Sequence, residues 1–164
     1  MLKPDLLRQM ISQHVPWLRE NPDNLAVYLR KGRMVSTGQR AAAFEYRYTL
    51  EVLVMDYPES LDTISVPVLA WARLYQPDLL FNPDRQQNGI TFEADILSNS
   101  TMDVLIQIQA DEAVIVTRED GEIVTRHRAD PAPRPEIGAW SLVFVDEVSG
   151  ETWQDNKPIP SSSS

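Results

Sequence analysis

The sequence predicts an α+β fold in one domain, a mixed, mostly antiparallel sheet packed with two helices in the order α-β-β-α-β-β-β-β-β. Three patterns carry that expectation. Residues 44–54 alternate apolar and polar side chains almost without fault, residues 60–75 repeat apolar side chains at helical spacing, and several short alternating segments follow residue 90 with turn residues between them. A length of 164 residues, with 43% apolar and 24% charged side chains, suits one soluble core.

The elements follow in chain order. Pro4 opens a helix over about 4–14, because a proline costs nothing in a first turn, and Leu6, Leu7, Met10 and Ile11 give it an apolar stripe. Pro16 stops it, Trp17 and Leu18 pack against its end, and Asn21-Pro22-Asp23-Asn24 reads as a turn. A strand over Leu25–Leu29 comes next. In the long strand, Phe44, Tyr46, Tyr48, Leu50, Val52 and Val54 share one face, while the other begins polar and turns apolar at Leu53 and Met55, so cover is expected there only toward the end. The second helix sets Ile64, Val68, Trp71, Ala72 and Tyr75 on one side. Pro67 leaves two readings open: a late start capped by Ser65, or an earlier helix that kinks. Asp78 to Pro83 reads as an apolar loop.

Segments 90–97 and 102–109 form a hairpin whose Ile90, Phe92, Ala94 and Ile96 are core residues, and 113–117 with 123–126 form a second one around Asp120-Gly121. Trp71, Tyr75 and Trp140 read as core anchors. Pro131, Pro133 and Pro135 mark an extended connector to a last strand over 140–145. One domain over 1–155 and a disordered tail over 156–164 are expected.

The formal charge is −9, and it is unevenly spread. Residues 1–47 hold eight cations and four acids, a balance of +4, whereas 48–164 hold seven cations and twenty acids, a balance of −13. Either the two regions neutralise each other within one fold, or they mark self-association or a charged partner. Sequence-specific binding to nucleic acid is disfavoured by the net charge and by the lack of a dense basic run interleaved with aromatics. No apolar run approaches the ~20 residues of a membrane span, and the start lacks a secretory signal pattern, so cytoplasmic synthesis and no membrane partner are expected.

Chemistry is thinly represented. There is no cysteine, which removes thiolate nucleophiles and cysteine-ligated metals. With His14 and His127 as the two histidines, and no GxSxG, P-loop, GxGxxG or HExxH pattern, neither a catalytic nor a cofactor or metal site is expected. Both histidines read as structural or surface residues. Acid pairs occur at Glu93/Asp95, Asp111/Glu112 and Asp146/Glu147. Alternate strand positions lie ~6.6 Å apart, within reach of a paired-carboxylate glycosidase, yet Glu93 and Asp95 fall on the wet face of their hairpin. The remaining unusual feature is the basic stretch from Arg30 to Arg40. It is too polar for a core and too long for a tight turn. It reads as a solvated loop, or as an arm whose Arg30, Lys31, Arg33 and Arg40 meet an acidic surface on a neighbouring copy.

The segment Val68-Leu69-Ala70-Trp71-Ala72-Arg73-Leu74-Tyr75-Gln76-Pro77-Asp78-Leu79-Leu80, followed by Ile90-Thr91-Phe92-Glu93-Ala94-Asp95-Ile96-Leu97-Ser98 and joined with the opening Lys3-Pro4-Asp5-Leu6-Leu7-Arg8, carries a more specific signal. It resembles the tail completion protein R family of P2-like contractile-tailed bacteriophages, from Met1 to about Asp155. The resemblance implies a non-enzymatic virion assembly protein with a tail-terminator-like fold and no cofactor. It further implies a homohexameric ring at the head-proximal end of the tail, in contact with the tail tube, the sheath and the head-neck connector proteins. An acidic bore would keep passing DNA from sticking. Two alternatives remain, a small carboxylate-dependent cell-wall hydrolase and a monomeric assembly adaptor or chaperone.

Overall fold

The computed structural model describes residues 1–37, 43–97 and 100–127, together with the backbone of 143–145, 152–154 and 157–158. The first helix, α1 (Lys3–His14), carries Pro4 in its first turn and ends at Val15, whose extended backbone is what the following Pro16 demands. Pro16 then opens a short helix, α2 (Pro16–Glu20), and a 3₁₀ turn at Pro22–Asn24 delivers the chain to strand β1 (Leu25–Ser36). Strand β2 (Phe44–Tyr57) returns antiparallel to it. Helix α3 (Asp62–Tyr75) follows, then two one-turn helices, α4 (Asp78–Phe81) and α5 (Pro83–Gln86), in place of the expected loop. Asn82 produces the second of these, its side chain accepting a hydrogen bond from the Asp84 N–H at 3.0 Å.

Strands β3 (Ile90–Ile96), β4 (Met102–Glu119) and β5 (Glu122–His127) complete the main sheet. Its order is β1-β2-β4-β3, every neighbour antiparallel, with β5 paired to the far end of β4. The expected α+β class holds. The expected break near residue 110 does not: β4 runs through it for 18 residues, because β2 pairs continuously with it from Phe44↔Val114 to Val54↔Val104. The β4–β5 turn places Asp120 and Gly121 at φ 50° and 82°, the left-handed pair that an Asp-Gly hairpin turn requires. Three short strands, β6 (Val143–Val145), β7 (Thr152–Gln154) and β8 (Lys157–Pro158), form a small sheet of their own. The proline connector and the other residues of the 156–164 tail lie outside the described residues.

One face of the sheet carries the core. Leu50, Val52 and Val54 of β2 and Val104, Ile106 and Ile108 of β4 meet Leu7 and Ile11 of α1 and Ile64, Val68, Trp71 and Ala72 of α3. The Trp71 indole N–H donates to the Lys3 carbonyl at 3.0 Å, so the largest buried side chain also ties the two helices together. Pro67 sits inside α3, which begins at Asp62, and this decides for the earlier start. The Ser65 hydroxyl caps nothing and instead donates back to the Leu61 carbonyl at 3.0 Å.

The opposite face differs from expectation. Met55 is exposed and Leu53 half-buried, while Glu51 in mid-strand is buried to 1% exposure. Tyr28 and Gln107, its cross-strand neighbours at Tyr28↔Glu51 and Glu51↔Gln107, shield the carboxylate. A second departure concerns β3: Phe92 is 61% exposed and Ile96 85%, because the helical layer stops short of this strand.

Candidate functional site

The basic stretch expected as a loop or arm is, through Ser36, the second half of β1. Pairing with β2 is interrupted once, between Arg30 and Gly32, where Lys31 takes φ 50° and stands out of register as a bulge. Of the four cations singled out in the sequence, Arg30, Lys31 and Arg33 therefore lie together on an exposed edge strand. Arg40 lies outside the described residues.

The three do not stand alike. The Arg30 Nε lies 3.2 Å from the buried Glu51 Oε2, and Gln107 donates to Glu51 Oε1 at 2.8 Å. Hydrogen bonds from Tyr28 and Gln107 hold the Glu51 carboxyl below its ordinary pKa against the opposing effect of burial. The same bond raises the Tyr28 phenol, since it is made to the phenol's protonated form. Arg33 faces Arg47 across the strands, an arrangement of like charges that Glu45 relieves by bonding the Arg47 guanidinium at 3.0 and 3.1 Å. Neither Lys31 nor Arg33 makes an ion pair within the described residues, so both charges are available to a partner.

The far edge of the same sheet has the opposite character. Glu93 and Asp95 of β3 are exposed, as their alternation predicts, and Asp95 faces Asp103 of β4. On the other face of β3, Ile90 and Phe92 border an apolar groove of about 120 Å³ shared with Leu61, just before α3, and with Val68 and Leu69 within it. Among the described residues β1 pairs with β2 alone and β3 with β4 alone, so both edges present unpaired backbone.

Asp78, Asp111 and Glu112 are held internally. Asp111 accepts from Gln76 Nε2 and Arg85 Nη1, both at 3.2 Å, and Asp78 is bonded by the same two side chains. Glu112 is buried on the core side, where it accepts from the Lys3 N–H at 2.7 Å, the Leu2 N–H at 3.3 Å and the Tyr48 hydroxyl at 3.1 Å, with His127 Nδ1 at 2.8 Å. Burial opposes the charge of Glu112, but these donors outweigh it and hold the carboxyl below its ordinary range. A carboxylate at the start of α1 also meets the positive end of the helix dipole. The pairing of His127 with Glu112 gives a partner to a residue expected as structural or surface. The Asp-Gly turn is the signal that points to it, because that turn sets Val114 opposite His127 and makes Glu112 a diagonal neighbour. Among the described residues no group of three His, Asp or Glu side chains is placed to hold a metal ion.

Residues 1–131 of the chain, which build both of these edges, match the P2 phage tail completion protein R (GpR) family. The chain belongs to this family. A curated relative, the tail completion protein R of Escherichia phage P2, is 39% identical over 155 residues, which cover 94% of this chain and all of the relative. The family match takes in α1 through β5, and so both edges of the main sheet. No solved structure matches the chain significantly. A role in completing the bacteriophage tail accounts for a domain whose distinguishing features are surfaces.

Proposed function

We propose that the protein completes the phage tail as a structural, non-enzymatic component of the virion. Six copies form a ring at the head-proximal end, stop growth of the tube and sheath, and prepare that end for the head-neck connector proteins. Family membership supports the tail role. The observation that carries the ring is the unlikeness of the two sheet edges, with Lys31 and Arg33 on one and Glu93 and Asp95 on the other. Unlike edges join head to tail, and head-to-tail contacts close into rings when the rotation per copy permits. A ring seated on an open helical polymer presents no further copy with an equivalent site, which is how it would end growth.

Native mass spectrometry of the purified protein and of purified tails tests the reading. Six copies per assembly are expected, in solution or on the tail. Changing Lys31→Glu and Arg33→Glu together, while leaving Arg30 with its buried partner, is expected to weaken assembly at least tenfold at low salt. A monomer or single copy in both samples overturns the ring. Unchanged assembly of the doubly reversed variant overturns the role of the cations.

A further inference from the structure

The geometry points to a specific junction between copies: strand β1 of one copy pairs antiparallel with β3 of the next, so that one sheet continues from subunit to subunit. This rests on the ring reading and adds to it the surface and the register.

The strand directions allow the junction. With each pair antiparallel in the order β1-β2-β4-β3, strands β1 and β4 run one way and β2 and β3 the other. A second copy placed by rotation about an axis along the strands keeps its strand sense, and its β1 therefore meets β3 antiparallel, like every other pair in the sheet. Each junction is then identical to the last, as ring closure requires.

Charge and shape choose the register. Along the sheet, Ala26, Leu53, Leu105 and Glu93 lie in one row, so a flat continuation sets the neighbour's Ala26 beside Glu93. A slide of four residues, ~13 Å, brings its Arg30 beside Glu93 instead. An even slide keeps every side chain on its proper face, and stagger of this kind is what a closing sheet needs. Arg30 has donors to spare for Glu93 while its Nε stays with Glu51. On the helix side the same register puts Ile96 beside Val27 and lays the Phe92 ring over Gly32, which has no side chain to obstruct it. The two most exposed apolar residues of β3 thereby gain cover, and Met34, 76% exposed, reaches toward the groove bordered by Ile90 and Leu69.

In this register Leu29 lies opposite Ala94. Both are exposed, and the native chain has no cysteine to confuse the result. Facing strand residues approach to about 4.5–5.5 Å between Cα atoms, within disulfide range. The full-length protein carrying Leu29→Cys and Ala94→Cys together is oxidised, in solution and on purified tails, and run on a non-reducing gel beside each single variant. A ladder of linked copies from the double variant and monomers from each single one is the expected result. Thermal unfolding and circular dichroism matched to the parent establish that the variants fold. Six-copy assemblies by native mass without cross-linking overturn this junction and leave the ring standing. A linked dimer from Ala94→Cys alone means that like edges pair, and overturns it as well. Phe92→Ser that leaves the assembly mass unchanged but blocks joining to tails assigns the β3 edge to another tail protein, which likewise overturns the junction. Monomers in every sample remove the ring and the junction together.

Discussion

Glu112 shows how one buried carboxylate organises its surroundings: it takes two backbone N–H groups at the start of α1, the Tyr48 hydroxyl and His127, and so fastens the first helix to the sheet and to the end of β5. Its carboxyl titrates lower in the folded chain than in the unfolded one. The stabilisation is therefore complete above the unfolded value of about 4.3 and is lost as pH falls through the folded value. Glu112→Gln keeps the shape but gives up the charge and part of the acceptor capacity. It is expected to cost about 1–3 kcal/mol at neutral pH, with a shallower loss of stability on acidification than the parent, both read from urea unfolding between pH 3 and 7. An unchanged acid limb would show that other carboxylates govern it.

At the scale of elements, the β4–β5 hairpin depends on its turn more than on its burial. Glu122 to His127 is mostly exposed, and Ile123 remains exposed although apolar. The hairpin is held by pairing from Val114↔His127 to Glu119↔Glu122 and by two left-handed residues, Asp120 and Gly121. Gly121→Val places a β-branched side chain at φ 82°, a strain on the order of 1–2 kcal/mol. Hydrogen exchange should quicken across 114–127 in this variant and remain slow in β2 and α3, whereas uniform change across the chain would show that the hairpin does not open on its own. The Asp-Gly signal made this element legible. The continuity of β4 was not, because Asp111 and Glu112 read as an interruption until Gln76, Arg85 and the start of α1 supplied their partners.

For the whole molecule, the split of −9 into a basic beginning and an acidic remainder has become a statement about edges. Part of it is neutralised internally, in Arg30 with Glu51 and Arg47 with Glu45, and part is left outward on Lys31, Arg33, Glu93 and Asp95. If these outward charges join copies, assembly is salt-sensitive, since the screening length shrinks from roughly 14 Å at 0.05 M to about 4 Å at 0.5 M. Sedimentation at the two salt concentrations is expected to show subunit dissociation strengthened at least tenfold by salt. A salt-independent equilibrium would place the weight of association on Phe92 and Ile96.

Alternation in 44–54 and helical spacing in 64–75 determined the core by themselves, since a side chain's face follows from its position along a strand or helix. The family likewise was legible in the sequence, in the run around Trp71-Ala72-Arg73-Leu74-Tyr75-Gln76-Pro77. Alternation says that Phe92 and Ile96 share a face with Ile90, but how far α1 and α3 extend over the sheet decides whether that face is covered. The basic stretch shows the same division. Its charges were plain in the sequence, yet only pairing with β2 made Arg30, Lys31 and Arg33 a strand at the rim, because an edge exists by virtue of what fails to pair with it.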